Sequence, residues 1–220
     1  MSLKELIIKN RSTRGFDRTR LVTDDEILEM IDCARLSASS MNVQPLKFYA
    51  CNTPDEADLI TAKVKYAGAL PELGLPFEGT APVAYIVICQ DKRIFADDRS
   101  FLKDVGIYAQ SMSLAATEMG LNCLMIGAFN SDEIKKTLDL PEYYTVLLIL
   151  AVGKSIEHIE LTDVESLQPP EIEGAVEPGN DADRTLKDFR AEDLSAVKYY
   201  RKNGIHYVPK RNIKDIIINR

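Results

Sequence analysis

The stretch from Phe101 to Met119 constrains this chain more than any other. Phe101, Val105, Tyr108, Ala109, Met112, Ala115, Ala116 and Met119 recur at helical spacing and trace one apolar stripe. Gly120 follows, free to stop the helix in the left-handed conformation. The stripe is wide and rich in small residues, so the helix can pack closely against whatever covers it. Apolar runs of strand length lie on both sides of it. Val83 to Cys89 is partly β-branched and reads as a strand buried on both faces. Leu121 to Phe129 is a second such run, ending in the flexible Gly127, and Tyr144 to Val152 is a third, continuously apolar. A chain of 220 residues that is 45% apolar and 28% charged is long enough to close helices and strands around one sizeable core.

The remaining elements follow from local chemistry. Ser2 with Glu5 and Thr23 with Glu26 are capping boxes, predicting helices from Leu3 and from about Asp24 to Leu36. Lys47 to Cys51 reads as a strand, and Thr53-Pro54 opens another helix with proline at its first position. Ser131 is expected to cap a short helix containing Ile134 and Leu138. Ala67 to Pro82 has no period and is read as a surface loop over a ligand. Residues 155–183 turn acidic and proline-bearing and are expected to form a surface excursion within one domain spanning 1–220. Leu186 to Lys202 is expected to be helical, and Ile213 to Asn219 to be a terminal strand.

Composition excludes several classes of function. A net charge of −7 argues against a general binder of nucleic acid or anionic membranes. The four cysteines, Cys33, Cys51, Cys89 and Cys123, form no Cys-x-x-Cys pair and read as buried free thiols in a reducing compartment. Two histidines, His158 and His206, make a zinc or non-haem iron centre a poor expectation. The N-terminus has no apolar signal core, and no run reaches the ~18 residues of a membrane span. The expected compartment is the cytoplasm. A Gly-x-Gly-x-x-Gly fingerprint, a Walker loop and a nucleophile elbow are all missing. Chemistry carried by a bound cofactor, with the protein supplying binding and orientation, fits that pattern.

Two polar stretches are candidates for such binding. Arg11-Ser12-Thr13-Arg14 sets two guanidinium groups and a hydroxyl before the turn-like Gly15-Phe16-Asp17. Each guanidinium is a planar fork of donors that matches phosphate oxygens and stays charged. Ser39-Ser40-Met41-Asn42-Val43-Gln44-Pro45 joins a helix to a strand, and its hydroxyls and amides suit the edges of a flat heterocycle. Taken singly, either stretch reads better as a solvated turn or plain polar loop.

Together, in this order and separation, they resemble the FMN-dependent nitroreductase family. Ala81-Pro82-Val83 and the run from Gly120-Leu121-Asn122-Cys123 through Gly127-Ala128-Phe129 extend the resemblance from about Leu6 to Gly153, and it returns at His206 to Arg211. The resemblance implies an α+β fold, with a central, mostly antiparallel sheet flanked by helices and a C-terminal strand that pairs with the partner subunit. It implies a homodimer with FMN at the interface, the long helix lying along that interface. It further implies electron transfer from NAD(P)H to a nitroaromatic, a quinone or a related conjugated small-molecule acceptor by a ping-pong mechanism.

On that resemblance, Arg11 and Ser12 hold the phosphate, and Arg14 the phosphate or the pyrimidine edge, where a cation stabilises the anionic reduced ring. Ser39, Ser40, Met41, Asn42 and Gln44 contact the ring and ribityl chain, the last of these from the partner subunit. Met125, Ile126 and Gly127 pass the ring edge, with the Gly127 N–H near flavin N5. Lys210 and Arg211 close the phosphate site, and Lys65 and Tyr66 touch the ribityl chain. His206 is either a C-terminal contact of the site or a solvated surface residue. No side chain is expected to be catalytic in its own right, and no metal is expected. Asn10, Ala38, Leu46 and Asn122 stand where the family more often has a basic residue, a proline, an aromatic and a serine, which leaves the acceptor open. Two alternatives remain: a flavin carrier or sensor without turnover, and a specialised member that fragments flavin or removes halogen.

Overall fold

The computed structural model describes residues 1–67, 73–97, 99–163 and 200–218. They form two compact units, Met1–Tyr66 with Pro76–Ile156, and Ala67–Leu75 with Glu157–Arg220. In chain order the first holds α1 (Leu3–Lys9), α2 (Asp24–Arg35), β1 (Leu46–Cys51), α3 (Pro54–Thr61), β2 (Ala84–Asp91), α4 (Leu102–Glu118), β3 (Asn122–Ile126), α5 (Ser131–Thr137) and β4 (Tyr144–Gly153). The second holds β5 (His158–Asp163), β6 (Tyr200–Lys202), β7 (Ile205–Lys210) and α6 (Ile213–Ile216).

The four strands of the first unit form an antiparallel sheet in the order β1-β2-β4-β3. Every residue of β2 is buried, as its apolar run requires of a central strand. The α4 stripe meets the sheet directly. Val105, Tyr108, Ala109, Met112, Ala115 and Ala116 share one core with Ile86 and Ile88 of β2, Leu150 and Val152 of β4, and Met30 and Ala34 of α2. Gly120 sits at φ +79°, with its N–H donating to Thr117 O and the Leu121 N–H donating to Ala116 O. That pair of bonds satisfies carbonyls orphaned at the helix end and turns the chain straight into β3.

Both capping boxes form, at Ser2 with Glu5 and at Thr23 with Glu26. The cap of α5 is Asn130 rather than Ser131. Asn130 Oδ1 accepts the N–H groups of Asp132 (3.0 Å) and Glu133 (3.1 Å). Ser131 Oγ instead accepts the Val146 N–H at 3.2 Å and ties the helix to β4. All four cysteines are free. Burial pushes the Cys51, Cys89 and Cys123 thiols up to about 12, whereas Cys33 is only half-buried.

The second unit departs from the sequence-based expectation. Residues 158–163 of the acidic segment form β5, which pairs in parallel with β7, while 164–183 lie outside the described residues. Tyr200–Lys202, expected at the end of a helix, is the strand β6, antiparallel to β7, while 186–199 lie outside the described residues. The signal for this hairpin is Asn203-Gly204, which takes φ values of +51° and +73°. Asparagine followed by glycine suits the two-residue turn whose twist matches paired strands. Inside this unit the Arg201 guanidinium donates to the Glu157 carboxylate, and both side chains are buried. Ile213–Ile216 is the short helix α6 rather than part of a strand. Ile213 and Ile216 are three residues apart, a spacing that serves a helical turn as well as an extended pattern serves alternation. Residues 73–82 run through turns and bends as a loop, with 68–72 outside the described residues.

Candidate functional site

The Arg11–Arg14 turn is fixed by the backbone that surrounds it. The Thr13 N–H donates to Cys123 O of β3 (3.3 Å), and Thr13 Oγ1 lies 2.6 Å from Ser155 Oγ, just past β4. The Ile156 N–H donates to Gly15 O (3.1 Å), and the Phe16 N–H to Thr80 O (2.9 Å). Phe16 packs so closely on Gly153 that a Cβ there would lie 2.9 Å from its ring. Thr13, Arg14, Gly15 and Phe16 are buried, Arg11 is half-buried and Ser12 is exposed.

The guanidinium of Arg11 donates from Nη2 to Ile7 O at 2.6 Å, while its Nε is buried with no hydrogen-bond partner among the described residues. Desolvation alone pulls its pKa below the ordinary value. Because arginine stays charged regardless, a half-buried cation with no carboxylate among the described residues can take an anion as its partner. A phosphate supplies that, so the turn fits the phosphate end of FMN. Arg14 lies beneath the turn, with Nη1 donating to Ser12 O at 3.3 Å.

The Ser39–Gln44 loop has its own scaffold. Met41, Asn42 and Gln44 stand at φ +51°, +54° and +53°. Asparagine tolerates the left-handed region, but methionine and glutamine persist there only where their surroundings hold them. Ser39 Oγ donates to Asp104 Oδ2 at 2.7 Å and accepts the Gln44 N–H at 3.1 Å. The Ser40 N–H donates to the same Asp104 oxygen at 2.9 Å. Gln44 Nε2 then donates to Asn42 Oδ1 at 2.8 Å. Ser40, Met41, Asn42 and Gln44 face outward, Met41 being 77% exposed.

Met125 and Ile126 end β3 and Gly127 follows it, with Ile126 buried, Met125 and Gly127 exposed, and open space where a Gly127 side chain would be. The next residues are joined to the segment before the 73–82 loop. The Lys65 N–H donates to Ala128 O (2.9 Å), and Val64 bridges to Phe129. Tyr66 is buried, its hydroxyl bonded to that of Tyr85, which also lies 2.8 Å from Thr61 Oγ1. Lys210 and Arg211 belong to the second unit, at and just beyond the end of β7. His206, on the same strand, is buried at 2% exposure, which removes the reading of a solvated surface histidine.

The structure therefore gathers the Arg11 turn, β3 and residues 64–66, but it holds the Ser39–Gln44 loop apart from the Arg11 turn. Pro45 O accepts the Asp91 N–H, and Leu46 pairs with Gln90, which pairs with Thr145 at the start of β4. The Arg11 turn bonds to Cys123, which pairs with Val152 at the other end of β4. Seven strand steps separate Thr145 from Val152, roughly 23 Å at about 3.3 Å per residue. The helix α4 gives an independent measure, since Asp104 in its first turn holds the loop while Leu121, beyond its last turn, leads into β3. Sequence reasoning missed Asp104, Thr13 and Ser155 as the residues that shape the site. Nothing in their local sequence marks them, because their partners lie 65 and 142 positions away and are invisible in one dimension.

Comparison with known proteins bears on this geometry. A sequence profile described as the nitroreductase family matches residues 7–154. A nitroreductase-like protein of Methanocaldococcus jannaschii is 34% identical over 104 residues, 45% of this chain and 52% of its own, so the aligned part spans about half the length of that relative. The FMN reductase (NADPH) of Bacillus subtilis is 24% identical over 213 residues, covering 90% of this chain and 83% of its own. Among solved structures, an FMN-dependent nitroreductase from Clostridium difficile R20291 superposes with a TM-score of 0.57 at 22% identity, covering 71% of this chain and 89% of its own, which shows a shared fold.

Proposed function

Because this chain belongs to the nitroreductase family, we propose that it is an FMN-dependent oxidoreductase that takes electrons from NAD(P)H and passes them to nitroaromatics, quinones or related conjugated acceptors. The observation that carries this reading is the Arg11 turn, a half-buried guanidinium with no carboxylate partner among the described residues, anchored to β3 through Thr13. FMN, when bound, supplies a carrier that accepts a hydride and returns electrons to a second substrate. The residues of this chain bind and orient it. Arg11 and Ser12 take the phosphate. Exposed Met125 at the end of β3 and Gly127 just beyond it would lie along the ring, with the Gly127 N–H available as a donor. One substrate leaves before the next enters, so donor and acceptor share one face.

The separation of the Arg11 turn from the Ser39–Gln44 loop supports a site built by two copies. A two-fold axis perpendicular to the strands would set one end of a protomer's sheet beside the opposite end of its partner's. The turn of one copy and the loop of the other then meet over one FMN. No helix among the described residues is long and apolar enough to cross a membrane, and no group of potential metal ligands occurs among them.

The test begins with the visible spectrum of the purified protein. A flavin spectrum is expected, bleached by anaerobic NADPH and restored by menadione, and the heat-released cofactor should migrate as FMN. Recovery of FAD, or a colourless protein that ignores added FMN, would overturn the assignment.

A further inference from the structure

We propose that Asp104 is a positioning residue for the flavin, acting through the Ser39–Gln44 loop on the FMN held by the partner protomer; the proposal rests on the FMN reading above. Asp104 is 2% exposed and lies in the first turn of α4, where unpaired N–H groups favour a negative charge. One of its oxygens accepts two hydrogen bonds, from Ser39 Oγ at 2.7 Å and from the Ser40 N–H at 2.9 Å. The chain of contacts then runs outward. Ser39 Oγ accepts the Gln44 N–H, and Gln44 Nε2 donates to Asn42 Oδ1.

Three residues of this loop hold left-handed backbone conformations, and two of them are types that do so only under constraint. The buried carboxylate supplies the constraint. Without it the Ser39 hydroxyl and the Ser40 N–H lose their acceptor, and the backbone around Met41 can relax to ordinary φ values. The exposed amides of Asn42 and Gln44 would then lose the direction in which they present donors and acceptors to a ring edge. The loop stands roughly 23 Å of strand away from its own protomer's Arg11 turn, so the flavin it addresses is the partner's.

The experiment uses full-length homodimer, with FMN affinity read by flavin fluorescence and turnover by NADPH oxidation with menadione. Asp104→Ala, which removes the acceptor, should weaken FMN affinity by roughly tenfold or more. Asp104→Asn keeps an oxygen of the same shape that can accept both bonds, and should recover most of that affinity. Both variants lack the charge at the helix start, so both should lose some thermal stability. Equal FMN affinity for Asp104→Ala and wild type would overturn the proposal while leaving the FMN reading intact. So would equal losses for Ala and Asn that follow thermal stability alone. If Asp104→Ala does not fold, Ser39→Ala serves instead, because it breaks the same chain from an exposed loop. A dimer of one Arg11→Ala chain with one Asp104→Ala chain decides which flavin is addressed. Action across the interface leaves one intact site, so half the wild-type FMN should bind with wild-type affinity. Two weakened sites would overturn the cross-protomer role. A wild-type protein that does not bind FMN would remove the proposal together with the reading beneath it.

Discussion

At the scale of single residues, Arg11 is the group whose chemistry most directly implies a ligand. It is a cation in a half-buried turn, held by one bond to Ile7 O and by no carboxylate among the described residues. A charge-assisted contact with phosphate is worth about 1.5–3 kcal/mol. Arg11→Ala should therefore weaken FMN binding by roughly ten- to a hundredfold. Arg11→Lys should recover only part of the loss, because a single ammonium cannot reproduce the planar fork. Fluorescence titration measures both, and an unchanged dissociation constant for Arg11→Ala would remove Arg11 from the phosphate site. The sequence motif located this arginine. It left Arg14, which lies buried beneath the turn and bonds to Ser12 O, as a second candidate for the phosphate. Two arginines three positions apart are alike in a motif; the path of the backbone decides which one faces outward.

At the scale of elements, the helices with capping boxes begin where the boxes predict, because the signal is local and its partners are three residues apart. The start of α2 gives a test. Glu26 accepts bonds from Arg20 and from the Thr23 N–H, and these hold its carboxyl below the ordinary value of 4.5, the Arg20 bond being the largest cause. A depressed folded pKa contributes stability that is complete above the unfolded value. That contribution is lost as pH falls from about 4.5 through the folded value. Glu26→Gln should lower the melting temperature at neutral pH and reduce its fall between neutral pH and the acid side of that window. Thermal unfolding followed by circular dichroism at several pH values would show it, and parallel curves for variant and wild type would sink the idea. The misread strands had different causes. The strand β5 is held by β7 47 positions later, and β6 closes a stretch of helical composition with an Asn-Gly turn just beyond it.

At the scale of the whole molecule, the outward face of α4 asks for a partner. The stripe that packs on the sheet occupies one side of the helix, yet Leu102 and Ile107 on the other sides are 52% and 41% exposed. The nearby elements add exposed Leu28, Leu36 and Met41. A homodimer that covers such a surface should bury more than about 2,000 Å² and be largely apolar. Ile107→Glu places a charge on that face without entering the core. It should yield a monomer at micromolar concentration with reduced flavin content. Sedimentation velocity with flavin quantified in each fraction tests this; an intact, fully loaded Ile107→Glu dimer would place the interface elsewhere.

What the sequence by itself determined is whatever is written in short-range or periodic chemistry. The α4 stripe, its glycine stop, the apolar strands and the capping boxes all follow from neighbours within a few positions. The polar motifs, taken in order, also led to the family. Only the tertiary structure decided how those motifs are used. It turned Ser39 inward to a buried carboxylate 65 residues away, bound Thr13 to Ser155, and set the Arg11 turn and the Ser39–Gln44 loop at opposite ends of one sheet. The physical reason is that buried hydrogen bonds and strand register depend on which distant segments meet. Composition and spacing record the chemistry each segment offers but not the partner that will take it up.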